Sequence, residues 1–247
     1  MLTGKVALVT GATGGLGQHF VRMLSENGAA VVVNFRDRET EARQLVDSMR
    51  ESGRRAMACC ADVSREADVC RMLDDVNREL GPVSVLINNA GISRNAMSWK
   101  MTSDVWNDVI GTNLSGVFYM TKAVLPGMRE AAWGRVINIS SVVAQVGVPG
   151  TVAYAASKAG IVGLTRTIAR EVISRNITVN TLMLGYFQVG VIETLTEEMQ
   201  QSIVQQIPAG RLGEPRAAVD AVQYLCSDGA AYVTGQAISV NGGMFMS

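Results

Sequence analysis

Residues 154–160 read YAASKAG. On a helix, Tyr154 and Lys158 would stand one turn apart on a single face, with only small side chains around them. A free phenol has a pKa near 10 and is a sluggish proton shuttle at neutral pH, whereas a nearby ammonium favours the phenolate. Lowering that pKa by ~3 units takes ~4 kcal/mol of differential stabilisation. An ammonium supplies that much only away from bulk water and with help from a second positive charge. Thirteen residues before Tyr154, the stretch NISS (138–141) ends with Ser141. A serine, a tyrosine and a lysine converging on one carbonyl or alcohol oxygen would form an acid–base device. A hydride must come from elsewhere, which directs attention to a cofactor.

The chain carries a place for one. TGATGGLG (10–17) follows a short apolar run and opens a helical pattern. Gly11 permits a tight turn, while Gly15 and Gly17 let backbone approach a pyrophosphate and let the helix pack close. A bare Gly-rich turn is the bland reading, and its position between strand and helix favours a dinucleotide site. At the end of the second run, VVVNFRDRE puts Asn34 and Phe35 where an acid would take the ribose 2′-hydroxyl of NAD, and Arg36 follows. An arginine there accommodates the 2′-phosphate, so NADP(H) is the expected cofactor. Asp37 either reaches the ribose or pairs with Arg38. Asp62 and Val63 end the third run, where a short side chain can meet an adenine. Asn89, Ala90 and Gly91 of NNAG end the fourth.

These residues need a scaffold, and the pattern supplies it. Short β-branched runs occur at 5–10, 30–35, 54–61, 83–90, 134–140, 177–184 and 236–241, separated by stretches with helical spacing. Nearly continuous apolar strands suit a sheet covered on both faces. Strand and helix alternating about six times predict one α/β domain over 1–247. Its expected form is a Rossmann-like, doubly wound, mostly parallel seven-stranded sheet with helices on both faces. Residues 1–100 form its cofactor half and 101–247 its catalytic and substrate half. Such sheets bind ligands beyond the carboxyl ends of their strands, where all these candidate residues fall.

Composition excludes other classes. Lys+Arg and Asp+Glu both total 22, which gives no sign of nucleic acid or an anionic membrane as partner. The four cysteines have no histidine cluster beside them, since His19 is the only histidine. They read as reduced core thiols, with no metal site. No apolar run is long enough to span a bilayer and no leader pattern follows Met1, so a cytoplasmic protein is expected.

TGATGGLG, NNAG, NLSG (113–116), ISS and YAASK, in this order and spacing, resemble the short-chain dehydrogenase/reductase family over essentially the whole chain. VINISSVV, AREVISRNITVN, IPAGRLGEP and the ending VNGGMFMS are most similar to bacterial 3-oxoacyl-(acyl-carrier-protein) reductases. Acetoacetyl-CoA reductases look similar too. The resemblance implies a substrate that is an acyl thioester on acyl carrier protein or CoA. It implies Tyr154 as proton donor and Lys158 as the group that lowers its pKa and holds the nicotinamide ribose. Ser141 would bond the substrate carbonyl, and Asn113 would hold a water in a relay through Lys158. Thr13 and Leu16 join the expected cofactor contacts, and Gln145, Tyr186 and Phe187 the substrate contacts. A homotetramer is implied, with helices near 103–125 and 153–174 pairing.

Departures from the family pattern matter. Gly14 stands where many NADP-using relatives have an arginine. LGYFQV (184–189) replaces P-G-x-x-x-T, so Leu184 takes the place of Pro and Val189 that of a cofactor-contacting Thr. Losing one hydrogen bond costs on the order of 1 kcal/mol, which weakens cofactor binding without abolishing it. Tyr186 and Phe187 make 184–207 a substrate loop for a flat or greasy acyl group, unless they simply pack on the body. MREAAWGR (128–135) interrupts a basic carrier-docking cluster, leaving Arg129 and Arg135, with Arg175 at another docking position. Weaker charge steering suggests a specialised ketoreductase of a dedicated acyl or polyketide pathway. An alcohol or sugar dehydrogenase, and a cofactor-binding subunit without turnover, are the alternatives.

Overall fold

Residues with two substituents on Cβ pack well in extended backbone, and the runs rich in them form the strands. The computed structural model describes residues 2–246; Met1 and Ser247, the ends of the expected 1–247 unit, lie outside the described residues. The elements run β1 (Val6–Val9), α1 (Gly15–Glu26), β2 (Ala30–Phe35), α2 (Glu39–Glu51), β3 (Ala56–Cys60), α3 (Glu66–Glu79), β4 (Val85–Asn88), α4 (Ser103–Ile110) and α5 (Gly116–Glu130). They continue with β5 (Gly134–Ser141), α6 (Val143–Val146), α7 (Val152–Val172), β6 (Ile177–Leu184), α8 (Glu197–Gln205), α9 (Pro215–Cys226) and β7 (Ala237–Val240).

The strands form one sheet in the order β3-β2-β1-β4-β5-β6-β7, and every neighbouring pair is parallel. Strand order reverses direction between β1 and β4, which opens a crevice above their carboxyl ends. Alternation along the strands feeds two cores. Ala7 and Val9 join Phe20 and Leu24 of α1 and Val222 and Leu225 of α9. Val6 and Leu8 face the other way, with Val69 and Met72 of α3, Val124 of α5 and Ile168 of α7.

The second face also carries a polar rail. Asn88 Nδ2 donates to Asn138 Oδ1 at 2.8 Å and to Thr121 Oγ1 at 3.1 Å. Asn138 Nδ2 donates to Thr165 Oγ1 at 2.8 Å, and Thr165 Oγ1 lies 2.7 Å from Thr181 Oγ1. All five residues are buried. The rail ties β4, β5 and β6 to α5 and α7, the helices that flank the catalytic candidates. Between α4 and α5 the chain makes a π-helical turn over Gly111–Ser115, a feature common at functional sites. The helix expected over 103–125 therefore runs to Glu130 with that turn inside it. The one expected over 153–174 is α7, followed by a tighter turn at Ile173–Arg175.

Two expectations about composition are corrected. Cys59 and Cys226 are buried, but Cys60 and Cys70 are exposed, because β3 is an edge strand and Cys70 lies on the outer face of α3. Arg135 is fully buried on β5, with its guanidinium 4.5 Å from the Trp133 ring centroid. Buried there, it cannot steer a carrier protein. No helix among the described residues is long and apolar enough to cross a membrane.

Truncating the rail tests its role. Asn138→Ala leaves the Asn88 amide short of an acceptor and Thr165 short of a donor, and should cost about 2–3 kcal/mol of stability in urea unfolding. An unchanged midpoint would show that the rail carries no stability.

Candidate active site

Three loops at the carboxyl ends of β1, β4 and β5 converge on one crevice of about 630 Å³. Thr10 ends β1, and its Oγ1 accepts from the backbone N–H of Asn89 and Ala90 at 3.0 Å each. Asn89 answers by donating Nδ2 to Thr10 O at 3.0 Å and Gly11 O at 3.1 Å. The glycine loop and NNAG are thus laced together by four hydrogen bonds. Gly11 has φ +59°, and a Cβ there would meet Ala90 Cα at 2.9 Å. A Cβ on Gly17 would lie 2.7 Å from Gly11 O and 2.9 Å from Asn89 Nδ2, so any side chain would push α1 off the loop.

This loop fits an anion. The helix α1 begins after Gly14 with no side-chain cap and no acidic residue in its first turn, so its N–H groups are free to donate. Thr13, Gly15, Leu16, Arg36, Asp62, Val63, Ala90 and Gly91 line the same crevice. A dinucleotide laid along them would put its pyrophosphate at the α1 N-terminus and its adenosine towards Arg36. Gly17 stands behind the loop as the packing glycine.

The selector end differs in detail from the sequence expectation. Asn34 is buried and accepts from Gly11 N at 3.3 Å, while its Nδ2 donates to Cys59 O at 3.3 Å and Ala61 O at 3.1 Å. It clips β2 to β3 and to the glycine loop rather than facing a ribose. Phe35 is buried too, so Arg36 is the first side chain to emerge. Asp37 pairs with Arg36 at 2.8 Å, not with Arg38. Asp62 is turned back on Ser64, accepting from its N at 2.9 Å and its Oγ at 2.7 Å. Those bonds hold its carboxyl below the ordinary value even though burial raises it.

The catalytic candidates meet at the other end. Tyr154, Lys158 and Ser141 all line the crevice. Lys158 is buried; its Nζ donates to Ile139 O at 2.8 Å and lies 5.6 Å from the Tyr154 ring centroid. Burial lowers its pKa to about 8. The Tyr154 phenol moves up, because burial outweighs the opposing hydrogen bond with Ser141, and Tyr186 adds to the rise. The expected downward shift by Lys158 is therefore absent from the chain alone. Desolvation wins over a lysine that is itself losing its charge preference.

Asn113 lies beneath the crevice. Its Oδ1 accepts from Ile92 N at 2.8 Å, and its Nδ2 donates to Ile92 O at 2.9 Å and Ser157 Oγ at 3.2 Å. Both amide hydrogens are spent, so the side chain holds the backbone after NNAG; a water would have to use its remaining acceptor capacity. Gln145 does not line the crevice, and its Oε1 is buried without a hydrogen-bond partner among the described residues. Phe187 is buried in the core, and its ring blocks the space a Cβ on Gly213 would need. It anchors the segment after β6 and lines the crevice beside Tyr186. Val148, Thr151, Val191, Ile192, Leu195 and Ile203 complete the wall. Four of these six lie within 184–207; the position of Val148 and Thr151 follows from the α6–α7 turn, which carries no motif.

The family model for short chain dehydrogenases matches residues 5–200, and the chain belongs to that family. It is 43% identical over 246 residues to the 3-oxoacyl-(acyl-carrier-protein) reductase FabG of Pseudomonas aeruginosa, covering 100% of this chain and 99% of the other. The protein of the same name from Escherichia coli is 41% identical over 243 residues, 98% of each chain. That from Staphylococcus epidermidis is 40% identical over 242 residues, 98% of this chain and 99% of the other.

The buried lysine gives a pH test. A lysine whose pKa falls on folding binds its proton more weakly in the folded chain. Its penalty is fully present below about pH 8 and is relieved as pH rises towards the unfolded value of 10.5. Lys158→Met should therefore stabilise the chain at neutral pH by up to ~3 kcal/mol, with the advantage fading as pH rises. Equal denaturation midpoints for both chains at neutral pH would show that the ammonium is not desolvated.

Proposed function

We propose that this chain reduces a 3-oxoacyl thioester to the 3-hydroxyacyl thioester, with acyl carrier protein as the preferred carrier and NADPH as reductant. The observation that carries the reading is the convergence of Ser141, Tyr154 and Lys158 beside a glycine cradle, in a chain over 40% identical to reductases named for that reaction. The bound nicotinamide would supply the hydride. Ser141 and Tyr154 orient the carbonyl oxygen from two sides. Tyr154 gives its phenolic proton to that oxygen as negative charge develops, and the Lys158 ammonium favours the phenolate left behind. Lys158 titrates close enough to neutrality to pass a proton back to Tyr154.

Arg36 is the group that would meet a 2′-phosphate, and Asp37 competes with that phosphate for it. The exposed Arg129 and Arg175 line one groove between α5 and α7, among Glu130 and Glu171 and with Lys122 paired to Glu66, and are the cations left to a carrier protein once Arg135 is removed.

Loss of NADPH absorbance with acetoacetyl-CoA tests the reading. Tyr154→Phe should keep cofactor binding and lose roughly 10²–10⁴ in turnover; reduction at the unaltered rate would sink the proton-donor role. Arg36→Ala should raise the KM for NADPH about tenfold or more while leaving NADH use alone, the value of one charge-assisted contact. Equal losses with both cofactors would remove Arg36 from 2′-phosphate recognition.

A further inference from the structure

Ser140 precedes the catalytic serine and points away from it. Successive strand side chains face opposite sides of a sheet, so that of Ser140 shares its face with Asn138 and that of Ser141 takes the other, although both residues line the crevice. Ser140 is buried, and its Oγ donates to the backbone carbonyl of Lys158 at 2.8 Å. The ammonium of that same lysine donates to Ile139 O at 2.8 Å. Strand residues 139 and 140 and helix residue 158 are thereby joined by two reciprocal bonds. One runs from strand side chain to helix backbone, the other from helix side chain to strand backbone.

A carbonyl inside a helix already accepts from the amide four residues on, and it has a second lone pair. The Ser140 bond is therefore not needed to satisfy Lys158 O. Burying a hydroxyl in a sheet–helix interface carries a desolvation cost that an alanine would avoid. What the bond adds is registration. Lys158 reaches Ile139 O through a long flexible stem, so where its Nζ comes to rest depends on how α7 is seated along β5. Thr165, two turns further on the same helix face, is held to Asn138 in the same way but touches no catalytic group.

We propose that Ser140 is a positioning residue for the reductase chemistry: by bonding the Lys158 carbonyl it seats the catalytic turn of α7 on β5, so that the Lys158 ammonium stays on Ile139 O beneath Tyr154. The proposal rests on the reductase reading for its kinetic consequence, and on geometry alone for the lysine's placement. The titratable groups on this side of the crevice are Tyr154, on the same helix, and Tyr186, beyond it from the segment after β6. Burial is the influence that moves Lys158.

The test compares Ser140→Ala and Ser140→Cys with Thr165→Val, which breaks the polar rail between the same strand and helix away from the site. Each is assayed with NADPH and acetoacetyl-CoA, for unfolding in urea, and for pH-dependent acetylation of Lys158 read by mass spectrometry. Ser140→Ala should lower kcat about tenfold or more with KM nearly unchanged, because a shift on the order of 1 Å misplaces the reacting groups. Its Lys158 midpoint should rise from about 8 by ~1 unit as the ammonium regains water. Ser140→Cys, near in size with a weak donor, should fall between and carries the comparison if the alanine variant does not fold. Thr165→Val should lose stability while kcat and the Lys158 midpoint stay put. If the Ser140 variants match Thr165→Val in both readouts, Ser140 is merely structural and the proposal fails. If the unaltered chain reduces no acetoacetyl-CoA, the reductase reading is in doubt, and the acetylation midpoints still decide the role of Ser140.

Discussion

A single buried ammonium organises this molecule. Lys158 sits where helix α7 crosses the end of β5, out of water, held on one strand carbonyl and facing the ring of Tyr154. Such a charge is expensive to bury unless something uses it. The surrounding structure is arranged to hold it: the π turn that seats Asn113 below the NNAG loop, and Gly91, where a Cβ would already stand 3.4 Å from Nζ. The desolvation that moves the lysine towards neutrality is also what makes its charge count when a negative oxygen appears beside it.

The same economy of space shapes the cofactor end. Three backbone segments lie so close that Gly11 and Gly17 admit no side chain, and what remains exposed is peptide N–H at an uncapped helix start. Backbone donors cannot rearrange as side chains do, so the cradle is formed before binding. Side chains line the rim: Arg36 at one end, and Tyr186, Val191 and Leu195 at the other.

Much of this was legible in the sequence. The strands AVVVNF and ITVNTLML coincide with β2 and β6, because β-branched runs bounded by turns have few alternatives. The motif residues fall at strand ends because parallel α/β topology leaves only that side open. What was not legible depends on side-chain direction. Nothing in MREAAWGR says that Arg135 points into the body beside Trp133, and nothing in VVVNF says that Asn34 turns inward to clip β3. Phe187 lines the crevice, but nothing in LGYFQV says that its ring is also buried against Gly213. The direction of the Tyr154 shift escaped for a different reason. A sequence shows the ammonium beside the phenol, but not how much water both have lost.

Burial holds the Tyr154 phenol above its ordinary pKa, and a bound oxidised nicotinamide would bring a positive charge that opposes this rise. The most direct measurement is the near-ultraviolet titration of tyrosinate with and without bound NADP⁺, using Tyr154→Phe to identify the signal. The Tyr154 phenolate is expected to form above the ordinary tyrosine range without cofactor and at a lower pH with it. An identical midpoint in both states, or a low midpoint in the chain alone, would contradict it.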